Sequence, residues 1–212
     1  MGDATHGIEG IYTVVLAAGL ARRMGRQKLL LPMPDDRPIV RATVDAACGS
    51  PAAGLLLVVG EDGEAVAEAV AGAPVTVVGN PRAREGQSTS LHVAVEALIR
   101  LRATAGVFVL ADQPELSPDA IQAVLEGYEE SRAPIVQARY RDGFGHPVLF
   151  SSALFGELLT VVGDAGGRQV IRDNAHLRHA VVIDGLTPKD IDTPADYARL
   201  LARCTGRNAP LL

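Results

Sequence analysis

Along the first 130 positions, short apolar runs alternate with segments whose apolar residues fall every third or fourth place. The runs at 11–17, 55–59, 75–78 and 107–111 lack the polar alternation of a one-sided strand, so they predict strands covered on both faces. The segments at 38–47, 64–70 and 88–102 carry the spacing of helices with one apolar face. Ser117-Pro118-Asp119 opens a further helix, with serine placed to cap it and proline at its first position. This alternation predicts a three-layer α/β fold around a mainly parallel central sheet.

After residue 130 the rhythm changes. Short strands are expected at 135–139 and 148–150, separated by YRDGFGHP read as a loop. Helical segments follow near 151–160 and 166–174, then a strand at 181–183. Thr193-Pro194 caps a last helix over 194–203. Residues 1–10 read as a polar, glycine-rich leader and 205–212 as a loose tail. No repeat, low-complexity tract or linker interrupts the chain. A single domain is therefore expected over 1–212, with a first half at 11–130 and a second at 131–204.

Composition narrows the function classes. Of 212 residues, 48% are hydrophobic but only 4% aromatic, and none is Trp, so Val, Leu, Ile and Ala must build the core. A net charge of −5 argues against a general nucleic-acid or membrane-surface binder. Cys48 and Cys204 stand far apart without metal-ligand spacing, as in a protein of a reducing compartment. The start lacks signal-peptide features, and no apolar stretch reaches the ~20 residues that span a bilayer. The expected location is the cytoplasm.

Against that acidic balance, VVLAAGLARRMGRQK (14–28) stands out. A loop leaving the C-terminal end of a buried parallel strand lies where α/β sheets bind ligands. Gly19 and Gly25 let backbone N–H groups approach an anion, and Arg22, Arg23, Arg26 and Lys28 supply positive charge. A polyphosphate suits this loop; a solvated surface loop is the alternative that composition leaves open. The spacing matches neither a P-loop nor the dinucleotide fingerprint GxGxxG.

LAAGLARRMGRQK (16–28) resembles the LAAGxSxRMGxxK signature of the MobA-like nucleotidyltransferases, and most of all the molybdenum cofactor cytidylyltransferases. NPRAREGQSTSL (80–91) resembles the family's NPxxxxGxSxSL segment, and LADQPEL (110–116) its LxDxPxL turn. GHPVLF (145–150), GDAGGR (163–168) and DIDTPADY (190–197) follow in family order. The resemblance implies a Rossmann-like nucleotidyltransferase fold that transfers a nucleotidyl group from an NTP to a phosphorylated acceptor, releasing pyrophosphate.

By resemblance, Leu16, Ala17, Ala18 and Gly19 line the nucleotide, Arg23 and Lys28 hold its phosphates, and Asn80, Gly86 and Ser88 belong to the base and ribose region. Ser88 reads equally as an N-cap. Asp112 is the implied Mg2+ ligand, or else a turn aspartate. Asp192 is the second carboxylate; alternatively, Asp190 or Asp192 only helps position the Thr193 cap. His146, Asp164 and Arg168 fall on the acceptor side, where Arg168 pairs with an acceptor phosphate or with Asp164. Ala21 replaces the serine frequent in the family. Ala18, in LAAG rather than LAGG, points to CTP. His92 is expected on the polar face of its helix, and His176 and His179 on the surface. Lys28, read as a surface-loop residue, is expected to add little stability.

The implied activity is Mg2+-dependent transfer of CMP from CTP to a molybdopterin-type acceptor. The implied partners are those two small molecules and a molybdenum enzyme or its maturation factor, with no nucleic acid and no membrane. Two alternatives stay open. One is transfer to a sugar, polyol or phospholactate phosphate. The other is binding and delivery of the finished cofactor with weak catalysis.

Overall fold

The first apolar run becomes β1 (Ile8–Ala17), followed by α1 (Ile39–Cys48), β2 (Ala52–Val59), α2 (Gly63–Glu68), β3 (Thr76–Gly79), α3 (Gln87–Arg100), β4 (Ala105–Leu110) and α4 (Pro118–Ser131). The second half adds β5 (Ile135–Tyr140), β6 (Gly143–Ser151), α5 (Phe155–Leu158), α6 (Arg168–Asp173), β7 (Arg178–Val182) and α7 (Pro194–Arg207). This is a computed structural model, and it describes residues 8–19, 24 and 27–207. Among these residues the strands form one sheet in the order β3-β2-β1-β4-β6-β5-β7. Only β6 runs antiparallel to its neighbours, β4 and β5.

Both faces of the sheet are covered, which explains the unbroken apolar runs. In β2, Leu55, Leu57 and Val59 point into one core, with α1, α2, α4 and α7, while Leu56 and Val58 point into the other, with α3, α5 and α6. Each fully buried Leu, Ile or Val contributes roughly 1.5–3 kcal/mol. Gly106 lets α3 lie close to β4: a Cβ there would stand 2.5 Å from Leu98 Cδ1.

Several expected boundaries shift. The supposed leader contributes Ile8 to Gly10 to β1, because Ile8 pairs with Ala52 on the neighbouring strand. The supposed loose tail contributes Thr205 to Arg207 to α7. The helix begins behind a reciprocal cap, in which Asp196 N donates to Thr193 Oγ1 at 3.2 Å and Thr193 N donates to Asp196 Oδ2 at 2.8 Å. The largest correction concerns YRDGFGHP. Most of it is strand, since Gly143 turns the chain at φ 140° and the following residues alternate along β6. The segment at 151–160 is a 3-10 turn plus the short α5. β7 begins at Arg178 in register with β5, earlier than its apolar residues suggested.

Topology then places the site. β1 leads away to β2 on one side and pairs with β4 on the other, so the connections leave in opposite directions between these two strands. Loops following the C-terminal ends of such neighbours open a crevice. Ala111 N donates to Leu16 O at 3.1 Å, drawing the turn after β4 against the end of β1.

Candidate active site

Three charged residues from distant parts of the chain meet at that crevice. Lys28 opens a 3-10 turn behind β1, with Gln27 accepting from Leu29 N at 3.3 Å. Its Nζ donates to Asp112 Oδ2 at 2.6 Å and to Asp192 Oδ1 at 2.7 Å. Asp112 lies in the turn after β4. Asp192 arrives from beyond β7, along an extended segment pinned by Ile191 N to Asp112 O at 3.0 Å. Ile191 is buried in the core, so its neighbours Asp190 and Asp192 are left in the cleft wall.

Lys28 is 7% exposed, which corrects the expectation of a surface-loop lysine. Burial works to lower its pKa, but Asp112 and Asp192 outweigh burial and hold it above the ordinary 10.5. Burial raises the Asp112 pKa, Lys28 opposes the rise, and the Asp190 and Asp192 charges add to it. The ammonium serves as a stand-in cation. It shows that one oxygen from each of two carboxylates can face a single positive centre, a hard-oxygen donor set that fits Mg2+.

A polar cleft of about 580 Å3 opens over this centre. Leu16, Ala17, Ala18, Gly19 and Gly86 line it together with Lys28, Asp112 and Asp192. Arg23 and Ala21 lie outside the described residues. Asn80 and Ser88 stand behind the wall. Asn80 is buried, and its Nδ2 donates to Thr89 Oγ1 and Ser90 Oγ at 2.9 Å each, while its Oδ1 accepts from Arg82 N at 2.9 Å. Asn80 therefore braces the loop between β3 and α3. Ser88 does not cap α3: the helix starts one residue earlier behind Gly86, and Ser88 N donates to Gly163 O at 2.9 Å. Gly86 is required at φ 123°, where an added Cβ would also come within 3.0 Å of Gly163 O.

A second cavity of about 320 Å3 adjoins the cleft, sharing Leu16, Gln87, Leu110, Arg168 and Asp190 as a common wall. Its floor is the sheet face below α3, built from alternate residues such as Phe108, His146, Val148 and Phe150. The Nδ1 of His146 lies 3.2 Å from Phe108 O, so the proton sits there and Nε2 is left as an acceptor. Burial lowers the His146 pKa, so the ring is neutral at pH 7. Asp164 Oδ1 accepts from Gln87 N at 3.2 Å, at the start of α3. Arg168 has no ion pair among the described residues and lies where the two cavities join. His92 departs from the expected polar face: it is half-buried, with Nε2 2.9 Å from Val161 O. His176 and His179 are exposed, as expected.

Sequence reasoning missed Gln113, Gln137, Phe144 and Asp190 in this second wall. The chain contains only four phenylalanines, and Phe108, Phe144 and Phe150 all line one cavity. That concentration was available once β6 was read as a full strand.

A doubly covered, mainly parallel sheet with a lysine–carboxylate centre at its switch point defines an α/β protein with its charged centre where such folds bind ligands. The chain belongs to the MobA-like NTP transferase domain family, whose model matches residues 13–180, and its function is of the nucleotidyltransferase type. It is 31% identical over 195 residues to the purine catabolism protein PucB of Bacillus subtilis (strain 168), covering 87% of this chain and 92% of PucB. It is 29% identical over 209 residues to the nicotine blue oxidoreductase of Paenarthrobacter nicotinovorans, covering 95% of this chain and all of that one (100%). The structure of Rv0371c from Mycobacterium tuberculosis H37Rv in complex with manganese superposes with a TM-score of 0.75 at 36% identity, covering 91% of this chain and 98% of that one. Among the described residues, no helix is long and apolar enough to cross a membrane.

Proposed function

We propose that the protein transfers CMP from CTP to the phosphate of a molybdopterin-type acceptor and releases pyrophosphate, with Mg2+ as cofactor. The observation that carries this reading is the pairing of two joined cavities, one polar and one aromatic, around Lys28, Asp112, Asp192 and Arg168. The polar cleft suits a nucleoside triphosphate. The aromatic cavity suits a flat ring, which favours a pterin over a sugar or polyol phosphate.

Transfer forms a bond between an acceptor phosphate oxygen and the α-phosphorus of CTP, while the bond to the pyrophosphate leaving group breaks. Both partners are anions, so the site must align them and balance charge. Arg168 is free to fork onto the acceptor phosphate at the joint between the cavities. Lys28 contributes a compact positive charge toward the α-phosphate. Asp112 and Asp192 are the residues that would hold Mg2+, which when bound offsets the charge growing on pyrophosphate. Ala18 in the cleft wall supports CTP through the family's LAAG pattern. The manganese complex of Rv0371c supports a divalent cation for this chain as well.

The test is pyrophosphate release with Mg2+ and CTP, GTP, ATP or UTP in turn, with and without molybdenum-loaded molybdopterin. Release that requires both CTP and the pterin is expected. Release that favours GTP, or ignores the pterin, contradicts the assignment.

A further inference from the structure

Asp190 is a carboxylate that neither the lysine nor the nucleotide chemistry accounts for. It forms part of the wall shared by both cavities. No cation pairs with it among the described residues. Lys28 is taken by Asp112 and Asp192, and the adjacent Lys189 turns to Asp142 at 3.1 Å. Its hydrogen-bond partner is Gln113, whose Nε2 donates to Asp190 Oδ1 at 2.7 Å.

Gln113 is 4% exposed, and its Oε1 is buried without a hydrogen-bond partner among the described residues. The amide cannot be reversed, because its oxygen would then face the carboxylate. A buried unsatisfied carbonyl is unfavourable, and an apolar side chain in that turn would avoid it. What the glutamine secures is the direction of Asp190.

Of the other side-chain donors lining the second cavity, Thr187 and Lys189 are bonded to Asp142, Gln137 Nε2 to Gly145 O, and Arg168 makes no ion pair with Asp190. Phenylalanines form the cavity walls, and His146 Nε2 is an acceptor. A carboxylate at the edge of an aromatic slot is matched by two parallel N–H donors in the plane of a ring. We propose that Asp190, aimed by Gln113, reads the ring N–H and exocyclic amino group of a 2-aminopyrimidin-4-one heterocycle. It thereby sets which flat ring the cavity admits. This rests on reading the aromatic cavity as the acceptor pocket. Asp190 acts here as a specificity residue and Gln113 as a positioning residue.

The same geometry rejects a ring with oxygen in place of the amino group, since its lone pairs would face the carboxylate. The test uses two fluorescent probes on the full chain: pterin (2-amino-4-oxopteridine) and lumazine (2,4-dioxopteridine). The unaltered protein is expected to prefer pterin by about 10–100-fold, the discrimination of a good bidentate pair. Asp190→Asn offers one donor and one acceptor, and is expected to bring the preference to parity or reverse it. Gln113→Leu is expected to shrink the preference while keeping its sign, with thermal melting confirming that each variant folds. A preference near one in the unaltered protein, or one that Asp190→Asn leaves unchanged, overturns the proposal. CTP is titrated separately. Loss of CTP binding with the pterin preference intact would strike the nucleotide assignment alone, leaving Asp190 in its role.

Discussion

Lys28→Ala is expected to lower the rate of nucleotidyl transfer by about 10³-fold, the upper scale for removing one preorganised charge-stabilising group. The structure adds a second effect that a surface lysine would not show. The ammonium holds two carboxylates together at 2.6 and 2.7 Å, and its removal leaves both without it. Breaking a buried pair from one side costs about 3–5 kcal/mol, but the Asp192 side chain is 44% exposed, so solvent reduces this toward the range of a partly exposed pair. The Lys28 pKa lies above 10.5, so the ion pair contributes fully at neutral pH and is lost only as pH rises through that elevated value. Without Mg2+ the variant should therefore melt at a lower temperature, and Mg2+ should restore much of the difference by taking the vacated positive place. A melting temperature insensitive to Mg2+ in the variant would separate the two carboxylates from the metal.

Asp112→Asn carries the opposite balance between stability and rate. A metal-held leaving group draws several kcal/mol from the cation, and a loss of about 3 kcal/mol corresponds to roughly 10²-fold in kcat. Yet the native carboxylate is strained. Burial, with the Asp190 and Asp192 charges, raises its pKa despite Lys28. A group with a raised folded pKa destabilises the fold above that pKa when ionised, and a neutral amide removes this penalty. Lys28 keeps Asp192 as its partner in the variant. The expected result is a melting temperature that holds or rises while kcat falls. A fall in both would mark Asp112 as structural.

Much of the fold was legible because its signals are local. Buried parallel strands are short apolar runs, and those of β1, β2, β3 and β4 were placed within a few residues. β6 was truncated because Phe144 and His146 alternate with glycines, a pattern resembling a turn until pairing with β4 and β5 is known. Motif order singles out Lys28, Asp112 and Asp192 as candidates, while their meeting at one nitrogen depends on Ile191 docking against the turn after β4. Asn80 and Ser88 carried motif identity without showing on which side of the wall they lie. Asp190 and Gln113 could not be read ahead, since their pairing joins residues 77 positions apart.

On the proposed function, CTP and a pterin phosphate become covalently joined at the crevice between β1 and β4. CTP labelled at the α-phosphate, incubated with Mg2+ and molybdenum-loaded molybdopterin, tests this most directly. The label is expected to move into a single pterin-containing product that yields CMP on diester hydrolysis. Label appearing only as free CMP, or as an adduct of a different phosphorylated acceptor supplied in competition, would contradict it.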